Sequence, residues 1–265
     1  MEARQNRDNP ELRAWTDMFS ADRGRSLGVV ETAGGTALVA AEVDSLLFNR
    51  AFVGDVDQVE ELGRIYEDRG IDRYMITLPP TVTPIADSGL GLERFHRPWL
   101  KLAGRPKAQT VELDGYLVRP ARPEDTEAVA RLYCSGFDVP ASAAPIVAGL
   151  IGRPRWHVYV AEALEQPGRP VVGLGITHLE RGHAYLFGGV TSPEHRRRGV
   201  QRALIGARIN HAHRCGASSV STDTGVAIAG QPNHSQRNLE RAGLRVAYTR
   251  EHLVPRGTSW TGDRR

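Results

Sequence analysis

Apolar residues in the first hundred positions follow two periods, one helical and one typical of strands. Val59, Leu62 and Ile65 recur at helical spacing within residues 56–69, and Gly70 suits the position just after that helix. A second helix is predicted at residues 11–23. Apolar runs predict strands at residues 28–32, 36–43, 45–52, 74–78 and 95–102, with a turn at Gly34 and Gly35. Two prolines end the strand 74–78, and a short helix is predicted at residues 84–88.

The second half of the chain begins a new pattern after a segment rich in Gly, Pro and charge at residues 105–115. That composition predicts a linker between two cores. Strands are predicted at residues 116–119, 156–162, 171–178, 183–190, 219–224 and 244–253, and helices at 123–135, 199–215 and 235–241. The strand, helix and strand around residues 199–215 predict a parallel crossover, so the sheet is mixed.

These elements predict an α/β (α+β mixed) fold with two domains, each a mixed, mostly antiparallel sheet flanked by helices. The expected bounds are residues 1–104, a linker at 105–115, and residues 116–265. A length of 265 residues is comfortable for two such cores, and 40% hydrophobic with 25% charged residues is ordinary for globular proteins.

Charge and cysteine content exclude several classes of function. Lys and Arg outnumber Asp and Glu only 34 to 31, so no nucleic-acid partner is expected. Cys134 and Cys215 lie far apart without a CxxC motif, which predicts neither a disulfide framework nor a metal site. Because no signal-like segment and no run of about 18 apolar residues is present, we expect a cytoplasmic protein without a membrane partner.

The chemistry-bearing segment is residues 190–204, a donor-rich turn between a predicted strand and a predicted helix. Four arginines surround Gly199, namely Arg196, Arg197, Arg198 and Arg202. Backbone N–H groups at a helix N-terminus lack intrahelical acceptors and lie at the positive end of the helix dipole, so they can bind a diphosphate. Clustered cations are unfavourable at that position unless an anion is bound, which argues against a merely solvated helix start.

The same residues resemble the coenzyme loop of the GNAT superfamily of N-acetyltransferases, Gln/Arg-x-x-Gly-x-Gly/Ala. Arg196-x-x-Gly199-x-Gln201 matches it except that Gln201 replaces the small last residue. Residues 118–125 resemble the opening strand and helix cap of the family, and residues 233–244 its closing helix-Gly-strand motif. The resemblance covers residues 116–253. It implies acetyl-CoA as the co-substrate, no metal, and a small-molecule or peptide amine as the acceptor.

The resemblance also implies where the coenzyme binds. The fourth strand of the family bulges, so that one of its N–H groups faces the thioester carbonyl and the strand separates from the fifth to admit pantetheine. Asn238 and Asn233 are candidates to bind the pantetheine arm or to cap the nearby helix. The implied coenzyme-binding set is Gly188, Gly189, Val190, Arg196, Arg197, Arg198, Gly199, Val200, Gln201, Arg202, Asn233 and Asn238.

Proton-handling groups are not selected by the spacing. Many family members carry a glutamate in the fourth strand and a tyrosine in the closing helix, where this chain has Phe187-Gly188 and Leu239. Candidate bases are Asp223, Glu162 and His178, and Tyr248 is a candidate acid for the leaving thiolate. An alternative function is therefore a catalytically inactive acyl-CoA-binding sensor or scaffold. RNA binding by the basic loop is a weaker alternative, because no aromatic residue interleaves the arginines.

The N-terminal half has the same predicted order of elements but lacks an Arg-x-x-Gly-x-Gly loop before its helix. It resembles a degenerate second copy, which implies a tandem member in which only the C-terminal copy binds coenzyme. We expect the N-terminal domain to form part of the acceptor cleft or a dimer surface, and the protein to be a monomer or a homodimer.

Overall fold

The protein folds as two compact units. The computed structural model describes residues 9–20, 27–80, 91–228 and 232–258. One unit comprises Met1–Leu100 and Tyr248–Arg265, and the other comprises Lys101–Ala247. Each unit contains a mixed, mostly antiparallel sheet flanked by helices, which confirms the predicted fold class.

The first unit has a six-stranded sheet in the order β1-β2-β3-β4-β13-β5. Its elements are α1 (Pro10–Ser20), β1 (Leu27–Glu31), β2 (Gly35–Ala40), β3 (Arg50–Val53), α2 (Val59–Glu67), β4 (Met75–Thr77), β5 (Leu92–Arg94) and β13 (His252–Pro255). Strands β1, β2 and β3 pair antiparallel, whereas β3 and β4 pair parallel across α2. The apolar face of α2 contributes Val59, Leu62 and Tyr66 to the core, as its spacing predicts.

A buried ionic cluster lies in this unit. The carboxylate of Glu11, at the start of α1, is fully buried and binds two arginines. Arg50 Nη1 lies 2.7 Å from Glu11 Oε1, and Arg250 Nη2 donates to Oε2. Arg50 Nε donates to Thr77 Oγ1 at 2.7 Å, and His252 Nδ1 lies 3.2 Å from the same hydroxyl. Burial, and then the charges of Arg50 and Arg250, hold the pKa of His252 well below its usual range.

The second unit has a seven-stranded sheet in the order β12-β6-β11-β10-β9-β8-β7. Its strands are β6 (Trp99–Gly104), β7 (Tyr116–Pro120), β8 (Trp156–Ala163), β9 (Val171–Glu180), β10 (His183–Thr191), β11 (Ser219–Gly225) and β12 (Arg245–Arg250). Its helices are α3 (Thr126–Phe137), α4 (Ala144–Ala148), α5 (Val200–Arg214) and α6 (His234–Arg241). Strands β7 to β10 form an antiparallel meander, and α5 connects β10 to its parallel neighbour β11.

Two strands differ from the sequence expectation. The predicted strand 95–102 is β6 in the structure, and it lies in the sheet of the second unit between β12 and β11. The predicted strand 244–253 divides near Glu251 into β12 and β13, and β13 belongs to the sheet of the first unit. Local patterns encode that a segment is extended but not which distant strand it pairs with, so both assignments were wrong.

The predicted linker at residues 105–115 is not a free connection. Gln109 and Asn210 of α5 bond reciprocally, through Gln109 N to Asn210 Oδ1 at 2.7 Å and Asn210 Nδ2 to Gln109 O at 2.9 Å. Val111 and Leu113 pack on the core face of α5. The five-residue α4 was not predicted. The helix predicted at 84–88 and the end of the helix predicted at 11–23 lie outside the described residues.

We predict that Glu11→Gln lowers the free energy of unfolding by about 3 kcal/mol, because it removes the buried negative charge that binds two buried guanidinium groups. Urea denaturation followed by tryptophan fluorescence measures the change. Glu60→Gln is the matched control, since its pair with Arg64 is more than half exposed and contributes less than about 0.5 kcal/mol. Equal effects of the two substitutions would contradict this account of the cluster.

Candidate coenzyme site

The donor-rich turn has the geometry of an anion-binding helix start. After β10 the chain makes a short 3-10 turn at Pro193–His195, and α5 begins at Val200 with Gly199 as its N-cap. Gly199 has φ 87°, a left-handed conformation that glycine adopts without strain. Arg197 has φ 60°, which is uncommon for a residue with a side chain and is concentrated at functional sites. The backbone that leads into the first turn of α5 therefore has a left-handed conformation at two positions, Arg197 and Gly199.

The loop is held from below by buried polar contacts. His195 is buried, and its Nδ1 lies 2.9 Å from the hydroxyl of Tyr116 on β7. The backbone N–H and the hydroxyl of Ser192 both donate to Val172 O on β9, at 2.9 and 3.0 Å. These contacts fix the position of the loop while leaving its arginines outside.

The positive charge of the loop is not neutralised within the protein. Arg196, Arg197, Arg198 and Arg202 are exposed, and none of them forms an ion pair with a carboxylate in the part of the chain that the structure describes. The first turn of α5 also lacks acidic residues. Four cations beside the positive end of a helix dipole repel one another, so an anion bound there would be strongly favoured.

The predicted bulge is present in β10. The antiparallel register with β9 shifts between Phe187 and Gly189, so Gly188 is the extra residue. On the other edge, β10 and β11 pair in parallel only from His183 to Tyr185. One further contact, from Thr222 Oγ1 to Leu186 O at 2.8 Å, follows before the ladder ends. The two strands therefore separate at the bulge, and the gap begins beside Gly188.

Small residues bring helix α3 close to this bulge. A Cβ on Gly188 would lie 2.9 Å from the ring of Tyr133, and a Cβ on Gly136 would lie 2.5 Å from Val190. Tyr133 is fully buried and stacks on Phe187 with ring centroids 6.0 Å apart. The bulge expected at Gly188 and Gly189 is thus present, whereas the role of these residues and of Val190 in binding stays a prediction.

The two asparagines of the closing motif have different partners. Asn233 is the N-cap of α6, accepting from Gln236 N at 2.9 Å and donating to Thr224 Oγ1 at 3.3 Å. Asn238 Nδ2 donates to Gln201 Oε1 at 2.7 Å. The long side chain that departs from the family loop therefore faces α6. Because this contact directs the side chain of Gln201 towards α6, the backbone of Gln201 is the part of the residue that remains at the loop.

The candidate bases Asp223 and Glu162 are both engaged in ion pairs. Lys101 Nζ lies 2.8 Å from Asp223 Oδ2, and the hydroxyl of Tyr185 donates to the same oxygen at 2.9 Å. Glu162 accepts from Arg119, which also forms two hydrogen bonds to Asp125. The hydrogen bonds to Asp125, and then those to Glu162, raise the pKa of Arg119, while the hydrogen bonds from Arg119 lower the pKa of Asp125. Both carboxylates are thus occupied by contacts within the protein, which favours structural roles.

The other two candidates lie elsewhere. His178 is buried on β9 against the ring of Trp156, with centroids 4.8 Å apart. Tyr248 lies on β12, the edge strand of the seven-stranded sheet, where Arg250 lies 6.0 Å from its ring centroid. Lys101, Tyr185 and Arg208 were missed by the sequence analysis. The sequence pattern could not single them out, because their partners lie on strands far away in the chain.

A separate cleft of about 340 Å³ lies at the opposite end of α5 from the loop, lined in part by His157, Tyr159 and His211. Burial, followed by the neighbouring His157 and Arg214, lowers the pKa of His211 to about 4. No group of three or more His, Cys, Asp or Glu is placed to hold a metal ion among the residues described. The described helices include none that is long and apolar enough to cross a bilayer.

Comparison with known proteins identifies the segment that carries the loop and the bulge. Residues 126–233, within the second unit, match the model of the acetyltransferase (GNAT) family. This segment is a GNAT domain. A search of curated proteins gave no match.

Solved structures with the same fold extend over almost the whole chain. A GCN5-related N-acetyltransferase from Kribbella flavida aligns with a TM-score of 0.64 and 17% identity, covering 94% of this chain and 93% of that one. One from Sphaerobacter thermophilus aligns at 0.59 and 16%, covering 92% and 83%. A tandem GNAT protein from the clavulanic acid biosynthesis pathway aligns at 0.53 and 15%, covering 95% and 97%. At these identities the likeness establishes the fold alone.

We predict that Glu162→Gln destabilises the protein by about 1–2 kcal/mol without changing its affinity for acetyl-CoA, because Glu162 serves the ion-pair network of Arg119. Urea denaturation and isothermal titration measure the two quantities. Glu127→Gln is the control, since its pair with Arg131 spans 3.8 Å on an exposed helix face. A variant with unchanged stability would contradict this structural role.

Proposed function

We propose that the protein is an N-acetyltransferase that transfers an acetyl group from acetyl-CoA to the primary amine of a small-molecule or peptide acceptor. The observation that carries the proposal is the loop before α5. Its left-handed Gly199 caps the helix, and four exposed arginines stand there without carboxylate partners among the described residues. A pyrophosphate supplies the negative charge and the acceptor oxygens that this arrangement lacks.

In this proposal the N–H groups of residues 199–202 and the side chains of Arg196, Arg197, Arg198 and Arg202 bind the pyrophosphate. The gap between β10 and β11 admits the pantetheine arm, whose amides pair with strand edges that no longer pair with each other. Gly188, Gly189 and Val190 form the rim of that gap. Asn238 lies next to the loop through Gln201 and is the candidate amide for the arm.

Acetyl-CoA supplies the thioester, whose carbonyl carbon forms the new C–N bond while the C–S bond breaks and the amine proton ends on the released thiol. The contribution of the protein is to hold the two reactants together and to present backbone donors to the carbonyl oxygen. Asp223 and Glu162 are held by cations, so proton transfer through water to solvent or to another group is the mechanism these contacts favour.

One coenzyme per chain is the proposed stoichiometry. In the first unit, the helix in the position of α5 is α2, and the turn before it is capped by the carboxylate of Asp55, which accepts from Val56 N. The first turn of α2 also carries Glu60 and Glu61. Negative charge at a helix N-terminus competes with a phosphate, which supports a degenerate first copy. We further propose that the protein acts in the cytoplasm as a monomer or a homodimer.

The alternative function is an acyl-CoA-binding sensor that does not catalyse transfer. The observation that favours it is the engagement of Asp223 and Glu162, two of the candidate bases, in ion pairs within the protein. Steady release of free thiol on a panel of amines would exclude it. Tight binding of acetyl-CoA without turnover on the same panel would favour it over the main proposal.

We predict that wild-type protein binds acetyl-CoA with micromolar affinity and a stoichiometry near one, and that Gly199→Trp reduces the affinity at least 100-fold. An indole at the N-cap occupies the space in which the phosphates would meet the backbone. Isothermal titration calorimetry is the measurement.

Gly216→Trp is the matched control, because Gly216 also has a positive φ (71°) but lies just after the other end of α5, with no atom near its Cβ position. Its affinity should stay within about twofold of wild type, since first-turn N–H groups are unchanged. Equal losses in the two variants would show that the loop is not the site. Absence of binding by the wild type would overturn the proposed function itself.

A further inference from the structure

Arg208 is a buried cation that the proposed reaction has not used. It lies on α5, two turns after the coenzyme loop, and its side chain is almost completely buried. Within the described parts of the chain, no carboxylate pairs with it. Burial lowers the pKa of Arg208 to about 10, so the guanidinium remains charged at neutral pH. A buried charge without a counter-charge is costly, and its retention calls for an explanation.

The guanidinium packs against the sheet at the bulge. Nη1 donates to Ile176 O on β9 and to Phe187 O on β10, both at 3.1 Å, while Nε donates to Leu204 O of its own helix. Ile176 and Phe187 are opposite each other, directly before the register shift. Gly175 leaves the space that this side chain needs, because a Cβ at that position would lie 2.6 Å from Nε of Arg208.

These contacts determine which way one peptide group points. Leu186 O is directed towards β11, since Thr222 of β11 donates to it. Phe187 O is directed the opposite way, towards β9, since it shares Arg208 with Ile176 O. In a trans peptide the N–H points away from the carbonyl, and the described chain has no cis peptide. The N–H of Gly188 is therefore directed towards β11, beyond the last residue at which the two strands pair.

We propose that Arg208 is a positioning residue that orients and polarises the Phe187–Gly188 peptide, so that the Gly188 N–H donates to the thioester carbonyl of bound acetyl-CoA. This inference rests on the proposed function. A cation bound to a peptide carbonyl draws electron density from the amide and strengthens its N–H as a donor. Because the donor is fixed before the substrate binds, no reorganisation is needed as negative charge develops on the carbonyl oxygen.

A purely structural role makes a different prediction. If Arg208 only satisfied carbonyls left over by the bulge, its loss would loosen β10 and weaken every ligand of the gap equally. If it orients the Gly188 N–H, its loss affects only ligands that carry a carbonyl at the thioester position. Arg208→Met tests this well, because replacing an uncompensated buried charge by an apolar chain of similar length often preserves stability. We expect Arg208→Met to melt at or above the wild-type temperature.

The experiment measures binding of acetyl-CoA and of S-ethyl-CoA, in which a methylene replaces the carbonyl, to wild type, Arg208→Met and Arg208→Lys. We predict that Arg208→Met binds acetyl-CoA about fivefold more weakly, the loss of one hydrogen bond, and binds S-ethyl-CoA within twofold of wild type. Arg208→Lys keeps the charge, so its affinity for acetyl-CoA should lie between those of wild type and Arg208→Met. Infrared spectra of bound acetyl-CoA labelled with ¹³C at the carbonyl should show a lowered stretching frequency in wild type that returns towards the free value in Arg208→Met.

Each remaining outcome is decisive. Equal weakening of both ligands, or a carbonyl frequency unchanged by Arg208→Met, overturns the positioning role while leaving the coenzyme site intact. A wild type that binds neither ligand overturns the proposed function and this inference with it. If Arg208→Met does not fold, the same comparison is made with Arg208→Lys, where a loss confined to acetyl-CoA supports the proposal and an equal loss refutes it.

Discussion

The break in the ladder between β10 and β11 is the constraint on which the rest of the second unit depends. One extra residue at Gly188 shifts the register with β9, and the parallel pairing with β11 stops after Tyr185. Two strands in the middle of a sheet normally satisfy each other's backbone groups, so a gap between them is costly unless other groups replace the lost partners. Here Thr222 bonds to Leu186 O, and Arg208 bonds to Phe187 O and Ile176 O. At the near end of the gap the hydroxyl of Thr222 replaces the lost backbone partner of Leu186 O, whereas Arg208 binds the carbonyls on the β9 side of the bulge.

The loop before α5 and the gap beside β10 depend on each other through the same helix. The N-terminus of α5 presents its donors at the loop, and two turns later Arg208 fixes the bulge. One helix therefore relates the position of the arginine-rich loop to the position of the bulge in the sheet. The first unit has a comparable parallel crossover at α2, but its helix start is acidic and capped from within. The two helix starts therefore share a topology but carry opposite charge.

Much of this architecture could be predicted from local pattern. The helical spacing of Val59 and Leu62 predicted α2, the meander β8 to β10 followed from its turns, and the glycine pair at 188–189 predicted the bulge.

What local pattern could not supply was the pairing of segments far apart in the chain. Lys101 looks like an ordinary exposed lysine of an N-terminal strand until β6 places it beside Asp223. Arg208 reads as a polar position on a helix until the bulge brings two carbonyls to it. Asp223 and Glu162 could be named from the sequence as candidate bases, whereas the cations that bind them could not.

The placement of β6 and β13 gives the chain a particular relation between sequence and fold. Strand β6 follows the first unit in sequence but lies in the second sheet, between β12 and β11. Strand β13 follows the second unit in sequence but lies in the first sheet, between β4 and β5. A cut at residues 105–115 would therefore yield two fragments that each lack an interior strand of their own sheet and carry an unpaired strand of the other. Neither fragment would hold a complete sheet, so the chain has two cores but no single position at which it can be cut into two self-sufficient parts.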